Sequence, residues 1–164
     1  MFNIKKILCP VDFSAASNKA LNYAVDLALD YHAKIHLLHI LTPIIPAAYD
    51  YAVSTVAMMK SLEKASASQM KRLERALRKR GADVTAQVLT GDVHGLLKRA
   101  ILETKPELIV IGSHARTGFE RLFMGSVAEW LMRNSTVPVL VISEKQKAAK
   151  RKRGLKWRHE APAA

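Results

Sequence analysis

Residues 107–126 decide the fold of this chain: Glu-Leu-Ile-Val-Ile-Gly-Ser-His-Ala-Arg-Thr-Gly (107–118), Phe-Glu-Arg-Leu-Phe-Met (119–124) and Gly-Ser (125–126). An apolar run ends at Gly112, and a small, polar and basic loop leads to Gly125, where a segment with helical periodicity begins. A buried strand that passes through a glycine-containing loop to a helix N-terminus can hold an anion on backbone N–H groups and the helix dipole. The stretch therefore predicts a strand, an anion-binding loop and a helix.

Length and composition place this stretch in an ordinary globular protein. The 164 residues are 49% hydrophobic and 24% charged, which is typical of one folded domain. The longest apolar runs are far shorter than the roughly 18 residues of a membrane span, and the N-terminal run stops at Pro10, too early for a signal peptide. The single cysteine, Cys9, excludes an internal disulfide and suits a reducing compartment. We therefore expect a cytoplasmic protein with no membrane contact.

Short apolar runs alternate with longer amphipathic ones along the chain. Strands are predicted over 7–11, 34–41, 84–89, 108–111 and 137–142, and the first helix is predicted to be capped by Ser14. The segment 42–58 is interpreted as a loop that enters the second helix. Such alternation indicates an α/β fold with a mostly parallel sheet and helices on both faces. Ligands of such sheets bind at the carboxyl ends of the strands, which directs attention to Asp12 and Gly112.

Neither common nucleotide fingerprint is present. The chain has no Gly-x-x-x-x-Gly-Lys-Ser/Thr loop and no Gly-x-Gly-x-x-Gly after its first strand. These absences argue against a P-loop NTPase and against a typical dinucleotide oxidoreductase.

The motifs together resemble the universal stress protein family in its single-domain form. The matching pieces are Lys6–Ser14 (KILCPVDFS), Leu37–Ile40 (LLHI), Gly91-Asp92, Leu108–His114 (LIVIGSH), Arg116–Gly118 (RTG), Leu122, Gly125–Glu129 (GSVAE) and Val137–Val141 (VPVLV). The resemblance covers roughly residues 3–143 and implies a five-stranded parallel sheet of order 3-2-1-4-5. We accordingly expect an α/β domain over 1–143 and a basic, disordered tail over 144–164.

Some members of this family bind ATP through a pattern of Gly, two residues, Gly, nine residues and Gly-Ser. Carried over here, the pattern places its glycines at Gly112 and Gly125, with Ala115 in place of the second glycine. An alanine there costs roughly 1 kcal/mol if the backbone requires a positive φ, and fits if only a small residue is needed. Gly118 can supply the flexibility instead.

The resemblance implies ATP with Mg²⁺ as the ligand and assigns a part to each candidate residue. Asp12 would lie near the ribose and the metal, the Ile40 backbone would bind the adenine edge, and the loop would hold the phosphates. The full candidate set is Pro10, Val11, Asp12, Ile40, Gly112, Ser113, His114, Ala115, Arg116, Gly118, Gly125, Ser126 and Val127.

Several of these residue types also have purely structural interpretations. Asp12 follows a strand and could simply cap the first helix. His36 and His39 are three residues apart on a strand, so they face opposite sides and favour structural parts over a shared metal ion. Cys9 lies mid-strand and is interpreted as a small core hydrophobe.

The resemblance predicts a cytoplasmic, ATP-binding, stress-response homodimer that acts as a sensor or regulator with an unidentified protein partner. It places the dimer contact at the last strand, Val137–Ile142, whose exposed apolar edge needs covering. The residues show no nucleophile–base pair, so any ATPase activity would be slow. The alternative is a dimeric module of the same fold that binds no nucleotide and acts through its dimer surface and basic tail.

The net charge of +12 is divided equally between tail and body. Residues 143–164 hold eight Lys/Arg and two Glu, and residues 1–142 hold eighteen Lys/Arg and twelve Asp/Glu. The tail could add sequence-independent attraction to nucleic acid, but it has few aromatic residues. The cationic face of the second helix (Lys71, Arg72, Arg75, Arg78, Lys79 and Arg80) is interpreted as a solvated face. Nucleic acid is therefore not an expected partner.

Overall fold

The computed structural model describes residues 3–43, 52–113 and 125–143, with the backbone alone for residues 52–55. Its strands are β1 (Lys6–Pro10), β2 (Lys34–Leu41), β3 (Val84–Thr90), β4 (Leu108–Gly112) and β5 (Val139–Ile142). Its helices are α1 (Ala15–Tyr31), α2 (Ala52–Lys79), α3 (Val93–Thr104) and α4 (Ser126–Asn134). The predicted alternation of strands and helices is confirmed.

All five strands run parallel in the order β3-β2-β1-β4-β5, as the resemblance implies. The central strand β1 pairs with β2 on one side and with β4 on the other; Ile7 is level with both Ile35 and Leu108. From β1 the chain adds β2 and β3 on one side of the sheet, and it then adds β4 and β5 on the other side. The strand order therefore reverses between β1 and β4, although the two strands are parallel. That reversal opens a crevice at their carboxyl ends, which contain Pro10 and Gly112.

The core consists of two layers, one on each face of the sheet. Ile7, Ile35 and Val110 point to the face covered by α1 and α2, where α1 presents alanines such as Ala20 and Ala24. The opposite layer, under α3 and α4, is built from the alternate strand residues and from helix residues: Leu8, Leu38, Ile109, Ile111, Leu97, Ala100, Ala128 and Leu131. Strands buried on both faces explain why β1 and β4 read as continuous apolar runs.

Two elements differ from their predicted bounds by more than one residue. Helix α2 begins at Ala52, inside the segment interpreted as a loop, because the β-branched residues there lower helix propensity by only tenths of a kcal/mol each. Strand β5 begins at Val139 rather than Val137. The Ser135 hydroxyl both donates to the Val137 carbonyl oxygen (2.8 Å) and accepts from its N–H (3.0 Å), which holds Val137 in a turn.

Within the ranges that the structure describes, no helix is both long enough and apolar enough to cross a bilayer.

Candidate functional site

The turn from β1 into α1 is closed by a ring of hydrogen bonds. The Asp12 carboxylate accepts from the Ser14 N–H (3.0 Å), the Ser14 hydroxyl accepts from the Ser17 N–H (3.1 Å), and the Ser17 hydroxyl accepts from the Asp12 N–H (3.1 Å). Ser14 is therefore the N-cap of α1, as predicted. Phe13, between them, adopts the left-handed conformation (φ 64°). Because a carboxylate accepts more than one hydrogen bond, Asp12 keeps capacity for a further partner.

The buried His39 supports this turn from β2. Its Nδ1 donates to the Val11 carbonyl oxygen at 2.7 Å, and its ring lies 4.6 Å from the Phe13 ring. On the other face of the sheet, His36 shares a 3.0 Å hydrogen bond with the Thr85 hydroxyl. The two histidines thus have separate structural parts, as predicted, and the described residues contain no cluster of His, Cys, Asp or Glu that could hold a metal ion.

Gly112, at the end of β4, is required by helix packing. A Cβ at this position would lie 2.7 Å from the Ala16 carbonyl carbon, 2.8 Å from the Ser17 nitrogen and 2.9 Å from the Ala16 oxygen. These are backbone atoms of the first turn of α1, which cannot yield as a flexible side chain could. The sequence interpretation linked this glycine to close approach of an anion, which stays a prediction; the structure adds that the backbone of α1 occupies the position of a Cβ.

The start of α4 is tied directly to the end of β4. The Gly125 N–H donates to the Ser113 carbonyl oxygen at 2.5 Å, and the Ser113 N–H donates to the Ile142 carbonyl oxygen at 2.9 Å. Gly125 is the N-cap of α4 and forms no side-chain cap. The first turn of α4 consequently offers N–H groups and the positive end of the helix dipole beside the crevice.

Between the turn from β1 into α1 and the start of α4 lies a cavity of about 230 Å³. Seven of the thirteen candidate residues line it: Pro10, Val11, Asp12, Ile40, Gly112, Gly125 and Val127. Ser113 is buried beside it, and Ser126 opens α4 without lining it. The remaining candidates, His114, Ala115, Arg116 and Gly118, lie outside the described residues, so the consequence of Ala115 stays a prediction.

Six further residues that line the cavity were not predicted. They are Ser17, Leu38, Val93, Leu97, Ile111 and Ala128. Five of them are apolar, and in a sequence they look like any other core residue. Only Ser17 carried a usable signal, since a serine three positions after an N-cap serine lies next to the first turn of the helix.

The described lining residues are suited to binding rather than to proton transfer. Asp12 is their one titratable group, among mainly apolar side chains. Burial raises the pKa of the nearby Cys9 thiol to about 12, so the thiol stays protonated and is a poor nucleophile. Burial, and then the positive charges of Lys34 and Lys6, lower the pKa of His36, which lies on the other side of β2 from His39. The cavity is therefore an apolar slot with one carboxylate and one helix N-terminus at its rim.

The sequence model of the Universal stress protein family matches residues 3–143. This chain belongs to the universal stress protein family. A curated relative, a universal stress protein of Methanocaldococcus jannaschii, is 26% identical over 145 residues, which span 87% of this chain and 84% of the relative.

Solved structures of the family have the same fold. A universal stress protein in complex with cAMP has a TM-score of 0.63 at 21% identity, covering 87% of this chain and 99% of its own. A family member from Arabidopsis thaliana with AMP bound has a TM-score of 0.61 at 18% identity, covering 85% of this chain and 91% of its own.

Proposed function

We propose that this universal stress protein binds ATP with Mg²⁺ in the cavity at the carboxyl ends of β1, β2 and β4, and acts as a dimeric sensor or regulator in the stress response. The observation that carries the proposal is the convergence of Asp12, Ile40 and the α4 N-terminus on one cavity at the strand-order reversal.

The cavity accounts best for the adenosine part of the nucleotide. Its volume of about 230 Å³ is below the roughly 300 to 1,000 Å³ of typical ligand pockets, so the described walls would hold a base and ribose rather than a whole nucleotide. Ile40, Val93 and Val127 supply apolar contact for the faces of a purine. Both cAMP and AMP, the ligands of two solved relatives, contain this adenosine moiety.

The rim of the cavity supplies the polar contacts. The Asp12 carboxylate would accept from ribose hydroxyls or bind a Mg²⁺ that also contacts phosphate oxygens. The uncapped first turn of α4, at Gly125, would face the phosphates, where negative charge is favoured. With Asp12 as the one titratable lining group described, this arrangement favours retention of the nucleotide over its hydrolysis.

Isothermal titration calorimetry with ATP and Mg²⁺ tests the nucleotide site. Wild type should release heat, and Asp12→Asn, which keeps an oxygen acceptor for Ser14 but loses the charge, should weaken binding by about tenfold. The matched control is Asp83→Asn, an exposed carboxylate before β3 at the opposite end of the sheet, which should leave affinity unchanged. No heat with wild type, but binding by Ala115→Gly, would replace the proposal with the nucleotide-free interaction module.

The dimer is proposed to form through β5, which is an outer strand of the sheet. The Pro138 carbonyl oxygen accepts from the Ile109 N–H in β4, and the Ile142 carbonyl oxygen accepts from the Ser113 N–H just after β4. Val139 and Val141 therefore direct their backbone groups to the free edge. Val141→Pro removes one outward N–H without touching the pairing with β4. Sedimentation equilibrium should show a dimer for wild type and a monomer for this variant.

The control for the dimer is Val88→Pro at the other outer strand, β3. There Asp83 and Gly91 direct backbone groups toward β2, so Val88 faces outward as Val141 does. Loss of the dimer in both variants, or in Val88→Pro alone, would contradict assembly through β5.

A further inference from the structure

The positive charge of residues 1–142 is concentrated on one helix. Between Lys60 and Arg80 the chain holds eight Lys/Arg and two Asp/Glu, whereas the rest of residues 1–142 holds ten of each. Outside α2 and its C-terminal turn, the body of the protein is therefore electrically balanced. Residues 1–142 therefore combine one strongly basic helix with a remainder whose net charge is zero.

The cations of α2 occupy its solvent side. Lys60, Lys64, Lys71, Arg75 and Lys79 follow one another at spacings of four, seven, four and four residues, which places them on one stripe of the helix. All five are exposed, and so is Arg72 beside them. We call these six residues the basic stripe.

The opposite side of α2 is fixed against the sheet. Met70 and Leu77 are 1% and 3% exposed and belong to the core layer under α1 and α2, with Leu73 packed against it. This packing holds the helix in place and determines which side faces solvent.

Both acidic residues of α2 point away from the basic stripe. The Glu63 carboxylate accepts from the Thr90 hydroxyl (2.7 Å), and Glu74 pairs with Arg78 (2.7 Å), whose guanidinium also donates to the Val84 carbonyl oxygen. The six residues of the basic stripe form no ion pair with any residue in the described ranges. Fixed cations without internal counter-charges are the electrostatic signature of a polyanion-binding surface.

We propose that the basic stripe of α2 binds the phosphate backbone of double-stranded nucleic acid without sequence specificity. The helix rises about 28 Å from Lys60 to Lys79, at roughly 1.5 Å per residue. A duplex carries one charge per roughly 1.7 Å of axis, so the stripe can run past about eight base pairs. Lys and Arg on a preformed helix meet these phosphates with little loss of backbone entropy.

The same surface fits an anionic membrane less well. A helix that lies in a bilayer interface buries an apolar face opposite its cations. In α2 that face is already packed on the sheet through Met70 and Leu77. Among residues 56–79 of the helix, the large apolar side chains that are exposed, Val56, Met58 and Leu62, lie at its N-terminal end. The sequence alone counted against nucleic acid because the tail has few aromatic residues and the cationic face of the second helix was interpreted as a solvated face; the orientation of α2 provides the new argument.

Fluorescence anisotropy with a labelled 20-base-pair DNA duplex of mixed sequence tests the proposal in the full chain. The variant Lys64→Gln/Lys71→Gln/Arg75→Gln removes three stripe cations and keeps residues of high helix propensity. Its affinity should fall on the order of 100-fold at 50 mM salt, and the slope of log K against log salt should become shallower by about 2–3.

The matched control is Lys5→Gln/Lys98→Gln/Arg133→Gln, which removes the same charges from exposed positions outside α2. It should lose much less affinity and retain most of the salt slope. Equal loss in both triple variants would overturn the proposal in favour of general charge attraction, and unchanged binding by the α2 variant would overturn it in favour of another surface.

A second measurement separates nucleic acid from membrane. Co-sedimentation with vesicles of phosphatidylcholine and phosphatidylserine at a ratio of 3:1 should show little binding by wild type under conditions where the duplex is bound. Stripe-dependent vesicle binding without duplex binding would overturn the proposal. Urea unfolding of both triple variants should give midpoints close to wild type, which excludes misfolding as the cause of any loss.

Discussion

The two helix N-termini that flank the cavity are built in opposite ways. In the turn from β1 to α1, the side chains of Asp12, Ser14 and Ser17 satisfy one another and the backbone. At the start of α4, the N-cap residue Gly125 has no side chain and therefore forms no side-chain cap. We call the turn Asp12–Ser17 the closed wall of the crevice, because its polar groups bind one another. We call the start of α4 at Gly125 the binding wall, because it presents N–H donors to the crevice.

Within one site, the closed wall therefore supports the structure, and the binding wall is the part that can hold a ligand. A capped helix N-terminus has already used much of its capacity to hold an anion, whereas an uncapped one retains it. Gly112 connects the two walls, because its missing side chain lets β4 touch the backbone of α1. The binding wall is therefore positioned by the closed wall.

Gly112→Ala should have the largest effect, since it forces the two walls apart. The new methyl group would meet backbone atoms of Ala16 and Ser17 within 3 Å, which we expect to destabilise the fold by about 3 kcal/mol, as severe overpacking does. Urea unfolding measures the loss. The control, Gly95→Ala in α3, places its methyl group near only the exposed Asp92 carboxylate and should change stability by less than about 1 kcal/mol. Comparable losses in the two variants would show that the contact with α1 does not set the position of β4.

His39→Leu should weaken the closed wall from behind. Leucine fills the space but leaves the Val11 carbonyl oxygen without the 2.7 Å donor, at a cost of about 1–3 kcal/mol. His39→Gln offers an amide donor and should recover part of the loss in thermal unfolding experiments. Equal stability of His39→Leu and wild type would mean that β2 does not support the turn.

Removing the N-cap side chain of α1 and adding one to α4 should give the smallest changes in stability, and these compare the two walls directly. Ser14→Ala removes the N-cap of α1 and should cost about 1 kcal/mol, whereas Gly125→Ser adds a capping hydroxyl to α4 and should gain only a few tenths. If α4 presents its N-terminus to phosphates, Gly125→Ser should also weaken ATP binding in calorimetry. A large loss of stability in Gly125→Ser would show that this wall tolerates no side chain at all.

Most of the fold could be predicted from the sequence because its strands differ in pattern. Strands β1 and β4 are continuously apolar and lie inside the sheet, whereas β3 alternates and lies at an edge. The strand order came from the family resemblance, since periodicity carries no information about which strands are neighbours. The early start of α2 was not predicted, because extending an existing helix is favourable and outweighs the weak local propensities of its first residues.

The site was predictable where a residue type has a special backbone or charge, and not elsewhere. Asp12 and Gly112 were found because a carboxylate and a glycine at strand ends are unusual. Apolar lining residues such as Leu38 and Leu97 were not predicted. An apolar side chain that lines a cavity has the same sequence pattern as one in the core, and the two differ only in whether other atoms pack against the side chain. The contact of Gly112 with α1 was not predicted, because the approach of α1 is a tertiary contact.

The segregation of charge onto α2 gives the described part of the chain a permanent electric moment. The other described residues are balanced in charge, so the centre of positive charge of this part is displaced toward the edge of the sheet that contains β3, over which α2 packs. In the field of a polyanion the protein would rotate before contact, so that α2 leads and a larger fraction of encounters is productive. The capture rate would then depend on ionic strength more steeply than the total charge of the body suggests.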